Sequence, residues 1–151
     1  MQNKNLTLEV LQEIYNYFLL HLNNEITNYN NEFGVNLQLC NHITYKNVKM
    51  QFPELFLQIK TTNFEYEDFT KNCNLKIVND CYLSFAFKDN TENFQDNVER
   101  YCYILSKMLT DFENEKISYI ILNSIERGEL ESKDLQTLKV IVINFKTITL
   151  T

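Results

Sequence analysis

Apolar residues recur at spacings of three and four near the start of the chain, which is the pattern of an amphipathic helix. The stripe contains Leu8, Leu11, Tyr15, Phe18, Leu22, Ile26 and Tyr29. Asn5 or Thr7 is suited to cap this helix. The polar run that ends in Gly34 is suited to stop it, because Asn and Gly tolerate the left-handed conformation of helix ends. The pattern therefore predicts a helix over about residues 7–30.

The pattern changes to alternation with a period of two just after a proline, and this predicts the first clear strand. One face of the run carries Leu55, Leu57 and Ile59. We therefore expect a strand over about residues 54–61. The preceding segment, 35–51, alternates only in places and predicts a loop that contains a short strand. The acidic segment that follows, 63–71, is either a loop or a strand exposed on one side.

A second alternating run predicts a longer strand over about residues 74–88, either continuous or as a hairpin pinched at residues 79–80. Its apolar positions are Cys81, Leu83, Phe85 and Phe87. The period then changes to about 3.6, which predicts a second amphipathic helix over about residues 91–113, with Asn90 or Thr91 as its cap. The stripe of this helix contains Phe94, Val98, Tyr101, Cys102, Leu105, Leu109 and Phe112.

Two strands are expected in the last third of the chain, over about residues 117–122 and 135–150. The charged segment between them, 123–134, is predicted to be a loop that projects into water. The order of helix, strands, helix and strands predicts a single α+β domain spanning residues 1–151. We expect a mostly antiparallel sheet of four to five strands with the two amphipathic helices packed on one face.

Three groups of residues are expected to contact partners. Aromatic residues in a polar, acidic segment are typical of protein interfaces, and an ordinary core position is the alternative for them. A long charged loop is suited to contact, and a last strand that is apolar on both faces needs a cover on the side away from the helices. The predicted contact residues are Phe64, Tyr66 and Phe69 in the acidic segment, Glu126, Arg127, Glu129, Glu131 and Lys133 in the loop, and Val142 in the last strand.

Composition excludes several classes of function. The formal net charge is −6 and no block of Lys or Arg is present, so we expect no sequence-specific nucleic-acid partner. Glycine occurs only twice, which argues against Gly-rich phosphate-binding loops. No window approaches the roughly 18 apolar residues of a membrane span. We expect a protein of a cytosol, or of a particle assembled there, whose four cysteines are free thiols.

Cys40 and His42 are the residues closest to a chemical site. With Cys73 and Cys81 they could form a metal site, and by themselves a nucleophilic Cys–His pair. Their spacing matches neither a CxxC knuckle nor an HxxxH helix. The clustered carboxylates are expected to form solvated faces. We therefore predict a binding or assembly subunit with no catalytic residues, metal or cofactor, and the Cys/His site stays as the enzymatic alternative.

The order of elements along nearly the whole chain resembles the small tail-terminator, or tail-completion, proteins of long-tailed bacteriophages and phage-tail-like particles. The matching segments are the long first helix, the strands Pro53 to Ile59 and Tyr82 to Phe87, the helix Asn97 to Leu105 and the closing strand Thr147 to Thr151. The resemblance is one of pattern and contains no invariant motif. Head–tail connector proteins of the neck are similar at this level, and an unrelated oligomeric adaptor is a further alternative.

The resemblance implies a homo-oligomeric ring, usually of six copies, that caps the tail tube and stops its growth. In contractile tails such a ring also meets the sheath and joins the neck. The implied partners are therefore further copies of the chain, the tail tube protein, and sheath and neck or connector proteins, with no membrane. The implied location is the virion or phage-tail-like particle, assembled in the host bacterial cytoplasm. The family has no catalytic residues to carry over.

Overall fold

The computed structural model describes residues 6–66, 75–115, 117, 119–131 and 137–150. In chain order the elements are α1 (Leu6–Phe33), β1 (His42–Thr44), β2 (Glu54–Tyr66), β3 (Leu75–Lys88), α2 (Phe94–Asp111), β4 (Tyr119–Glu131) and β5 (Thr137–Leu150). The strands form one sheet in the order β1-β2-β3-β5-β4. Among the strand pairs that these described residues form, only β1–β2 is parallel. The predicted α+β class with a mostly antiparallel sheet is confirmed.

Helix α1 packs on the sheet through a line of apolar residues four positions apart. The line consists of Val10, Ile14, Phe18, Leu22 and Ile26, all buried. The predicted stripe was wrong at its N-terminal end. Leu8 is 41% exposed, and Leu11 and Tyr15 are only partly buried at the border of the core. The helix carries leucines on more than one side, so spacing alone left its orientation ambiguous. Gly34 ends the helix as predicted, with a φ of 64°.

Helix α2 begins later than predicted, at Phe94, because a side chain upstream organises the approach to it. The N-cap residue Asn93 makes no side-chain capping bond. Asp89 instead accepts hydrogen bonds from the Thr91 N–H (2.9 Å), the Thr91 hydroxyl (2.6 Å) and the Asn97 amide (2.7 Å). The prediction that Asn90 or Thr91 caps the helix was therefore wrong.

The strands are longer than the sequence predicted. β3 is continuous, which decides against the hairpin at residues 79–80, and β2 continues to Tyr66. The predicted loop over residues 123–134 was wrong for its described part, because β4 runs from Tyr119 to Glu131 and pairs with β5 with one register shift, between Leu122 and Ser124. β4 is an edge strand that is mostly exposed on both faces. Its sequence therefore lacks the alternation of apolar and polar residues that marks a half-buried strand, although it pairs with β5.

The hydrophobic core lies between the two helices and one face of the sheet, which we call the helix-side face. The strand residues of this core include Leu57, Leu83, Phe85, Ile141, Ile143 and Phe145. Tyr101 of α2 packs its ring 4.7 Å from the ring centroids of Phe85 and Phe87 and donates a hydrogen bond to the Gln38 carbonyl (2.7 Å). The other face, which we call the helix-free face, carries Phe56, Tyr82, Val140 and Val142. Both helices thus lie on one face, as predicted.

We expect the Asp89→Ala substitution to lower the free energy of unfolding by about 1–3 kcal/mol, because it leaves the donors of Thr91 and Asn97 without their acceptor. Urea unfolding of both proteins measures this difference. Glu92→Ala, an exposed carboxylate in the same turn, is the matched control and should change stability by less than about 0.5 kcal/mol.

The pH dependence of this difference is a second readout. Burial raises the pKa of Asp89, but the hydrogen bonds from Asn97 and Thr91 outweigh it and hold the pKa below its ordinary value of 3.8. The ionised carboxylate therefore stabilises the fold above pH 3.8, and this contribution is lost as the pH falls through the folded-state pKa. A difference between the two proteins that stayed constant from neutral pH into acid would contradict this role.

Candidate functional site

One end of the sheet extends beyond the main cluster of core residues. The core extends along the central strands as far as Cys81 and Phe145. The rows past these residues form what we call the distal end: residues 61–66, 75–80, 146–150 and 119–121. Its exposed large apolar side chains are Phe64, Tyr66, Tyr119, Ile121 and Leu150. They form two groups at opposite sides of the sheet: Phe64 and Tyr66 lie on the helix-side face of β2, and Tyr119, Ile121 and Leu150 lie on the helix-free face of β4 and β5. Exposed apolar side chains grouped in this way are candidates for protein interaction sites.

A buried polar layer joins the distal end to the core. The Thr62 hydroxyl donates to Asn79 Oδ1 (2.7 Å), and the Asn79 amide donates to Thr147 Oγ1 (3.2 Å). Asn79 and Thr147 are both 0% exposed. The three side chains connect β2, β3 and β5 across the sheet, so these strands are tied together at the inner boundary of the distal end.

The charged residues of β4 form ion pairs with neighbouring elements. Arg127 donates to both carboxylate oxygens of Glu99 on α2, at 2.6 and 2.8 Å. This hydrogen bonding lowers the pKa of Glu99 and raises the pKa of Arg127. The pair is exposed, so its contribution to stability is about 0–1 kcal/mol. Its main effect is to orient α2 against β4.

A second ion pair lies next to the first. Lys139 of β5 is buried, its Nζ lies 2.6 Å from Glu129 Oε1, and the same Nζ lies 4.0 Å from the centroid of the Phe94 ring. These residues and Arg127 line an open cavity of about 480 Å³ between α2 and the sheet. Because both cations are already paired with carboxylates, this cavity is poorly suited to bind an anion.

An apolar depression of about 290 Å³ lies on the helix-free face, under the loop that joins β1 to β2. Its apolar lining residues are Val48, Met50 and Phe52 from the loop and Phe56, Tyr82, Ala86, Leu130, Leu138 and Val140 from the sheet. Val142 lies beside this depression and opposite Glu126 of β4. The loop thus covers part of the face for which the sequence predicted an external cover.

The predicted contact residues do not form one surface. Phe64 and Tyr66 are 58% and 56% exposed at the distal end, whereas Arg127 lies opposite Ile141. Phe64 lies in the row of Thr149, and at about 3.3 Å per residue the two rows are about 26 Å apart along the sheet.

The remaining predicted contact residues divide between the two faces of β4 or fall outside the described chain. Glu126 and Val142 lie on the helix-free face, and Glu129 and Glu131 on the helix-side face. Phe69 and Lys133 lie outside the described residues. Sequence reasoning missed Tyr119, Ile121 and Leu150 as exposed residues. The uncharged apolar run at the start of β4 predicts a buried strand, so no signal in the sequence indicates that Tyr119 and Ile121 are exposed.

Cys40 and His42 make separate contacts. The Cys40 thiol donates to the carbonyl oxygens of His42 (3.3 Å) and Pro53 (3.4 Å), and His42 Nδ1 lies 2.8 Å from Glu54 Oε1. Burial raises the pKa of Cys40 to about 11. Nucleophilic catalysis uses the thiolate, which a raised pKa makes scarce at neutral pH. This environment is the opposite of the one that activates a cysteine.

The described residues contain no group of three or more His, Cys, Asp or Glu side chains arranged to hold a metal ion. Cys73, which the sequence suggested as a ligand, lies outside them. In the same described part of the chain, no helix is both long and apolar enough to span a bilayer. No protein-family model matches the chain, and no curated protein matches its sequence significantly.

We expect the folded chain to protect Cys40, Cys81 and Cys102 from alkylation. All three are buried, and burial raises their pKa values to about 11, 12 and 11. A pKa raised by two units lowers the thiolate fraction about a hundredfold. Iodoacetamide labelling at pH 8, followed by peptide mass spectrometry, should therefore proceed at least about 30-fold more slowly than in urea. Equal rates for Cys40 with and without urea would indicate an accessible, reactive thiol.

Proposed function

We propose that this protein is a structural subunit of a phage tail or phage-tail-like particle. In this role it is a tail terminator, which forms a ring on the end of the tail tube and connects the tube to sheath and neck proteins. Six copies per ring is the number that the resemblance of the sequence implies. The protein would therefore meet its partners in cell extracts in which such particles assemble.

The observation that carries this proposal is the distal end of the sheet. Aromatic and aliphatic side chains are exposed there on strands that hydrogen bonds and the buried Asn79 hold in place. Rigid, exposed aromatic residues lose little conformational entropy on contact, which favours a stable assembly. A subunit that must dock on the end of a tube requires such a surface. The environment of Cys40 supports the same choice over thiol catalysis, because it disfavours the thiolate.

Solution mass and imaging test the proposal. Light scattering of the purified chain, with and without candidate tail tubes, should give a ring of several copies of the 18.1 kDa chain. Alternatively, the chain should be a monomer that forms a ring only on tube ends, visible by negative-stain microscopy. A chain that stays monomeric and does not bind tubes would overturn the proposal. Rings that bind a portal-like neck component but not tubes would favour the head–tail connector instead.

A paired substitution tests whether the distal end makes the contact. We expect Phe64→Ser combined with Tyr66→Ser to weaken ring formation or tube binding at least tenfold, because two exposed aromatic anchors are lost. Both side chains are more than half exposed in the monomer, so the thermal stability of the chain should stay nearly constant. Leu20→Ser, at a 69% exposed position on α1, is the matched control. Equal losses in both proteins would argue against a specific role for the distal end.

A further inference from the structure

Both edges of the sheet have long stretches without a strand partner among the described residues. β4 pairs only with β5 there, so its outer edge is open over 13 residues. On the opposite side, β1 covers only Glu54, Leu55 and Phe56 of β2. The rest of β2, as far as Tyr66, has no outer neighbour in the sheet within the part of the chain that the structure describes. Open edges present backbone N–H and C=O groups that pair readily with another strand.

The two halves of β4 differ in how they are protected from such pairing. The proximal half carries charges at Glu126, Arg127, Glu129 and Glu131, which is how natural proteins block an exposed edge. The distal half, 119–125, has no charged residue and begins with Tyr, Ile, Ile and Leu. Apolar, β-branched and aromatic residues at an open edge favour strand pairing. The distal half of β4 is therefore the part of this edge that is suited to receive a strand.

The open part of β2 occupies the same rows of the sheet as the distal half of β4, and the two strands run in opposite directions. Thr61, Asp80, Lys146 and Ile121 form one row across the sheet. β2 to β3, β3 to β5 and β5 to β4 are all antiparallel, so β4 runs opposite to β2. A second copy rotated about an axis parallel to the strands would place its β2 beside β4, antiparallel and at the same level.

We propose that the distal half of β4 pairs with the open edge of β2 in a second copy of this chain, so that the sheets of neighbouring copies are continuous. The proposal rests on the ring-forming role proposed above and identifies the contact that closes the ring. The contact is heterologous, since two different edges meet, and such contacts generate rings when the rotation closes. The only charge that β2 brings over residues 58–63 is Lys60, so no like charges oppose each other.

The number of strands at the contact sets the width of a six-copy assembly. At the level of Thr61 and Ile121 each copy contributes four strands, β2, β3, β5 and β4, about 4.8 Å apart, so its sheet is about 19 Å wide and six copies would close into a barrel about 37 Å across. The helices lie on one face of each sheet and would therefore form a continuous layer on one side of the barrel. Strand tilt would widen this value somewhat, as it does in closed barrels.

A charge swap across the proposed contact is the test. Ile121 and Thr61 are both exposed on the helix-free face, so both substitutions should leave the monomer folded. Ile121→Glu places a carboxylate beside Lys146, and Thr61→Lys places an ammonium beside Asp80, so each change is electrostatically favourable within its own copy. We expect Ile121→Glu alone to raise the concentration at which rings dissociate at least tenfold, as measured by light scattering without tubes.

The double variant, Ile121→Glu with Thr61→Lys, should form rings that dissociate at a concentration within about threefold of that of the unmodified chain. The reason is that the two new charges meet across the interface. Leu20→Glu, on α1, is the control and should have no effect. Unchanged rings with Ile121→Glu, or no recovery in the double variant, would overturn the pairing of β4 with β2. The second result is also the one expected if β4 paired with β4 of another copy.

Failure of this contact can be distinguished from failure of the proposed function. Tube binding reports the function, and self-association without tubes reports the contact. If rings form on tubes equally well with and without the Ile121→Glu substitution, the terminator role stands and only the edge pairing is overturned. Edge-dependent rings that never bind tubes would keep the pairing and overturn the terminator role. A chain that stays monomeric with and without tubes would overturn both.

Discussion

The ladder between β3 and β5 is the interaction on which the rest of the structure depends. It runs without a register shift from Lys76 opposite Leu150 to Lys88 opposite Leu138. β2 and β4 each pair with one side of this ladder, and both helices pack on the side chains that it presents on one face. Because side chains alternate along a strand, a single register decides which residues of both strands enter the core. Loss of that register would therefore disturb every layer of the fold at once.

The elements that the sequence predicted well are those whose burial is one-sided. β3 alternates because one face meets the helices and the other does not, and this difference is visible in the residues themselves. The distal half of β2 and most of β4 lie outside that rule, since both of their faces contact water. Their strand conformation comes from the backbone partners in β3 and β5, which are distant in sequence. For this reason the charged residues 123–131 were interpreted as a loop.

The exposed apolar side chains of the distal end were harder to predict than the fold. Phe64 and Tyr66 could be identified from their acidic surroundings, because aromatic residues there have no evident core role. Tyr119 and Ile121 could not, since an uncharged apolar run predicts a buried strand and only the sheet order places β4 at an edge. Arg127 was predicted to face a partner, and the structure shows that its charge is already matched by Glu99. Exposure and pairing are properties of the tertiary fold, so spacing alone does not reveal them.

The buried Asn79 also selects one alignment of the strands over its nearest competitors. A slide of β3 by two residues would keep apolar side chains on the correct face, so hydrophobic alternation alone does not forbid it. A slide toward the distal end would bring Phe64 opposite Asn79 in place of Thr62, and a slide the other way would bring Phe145 in place of Thr147. In either case a buried amide loses a partner, which costs about 1–3 kcal/mol. One asparagine thus sets the alignment of three strands.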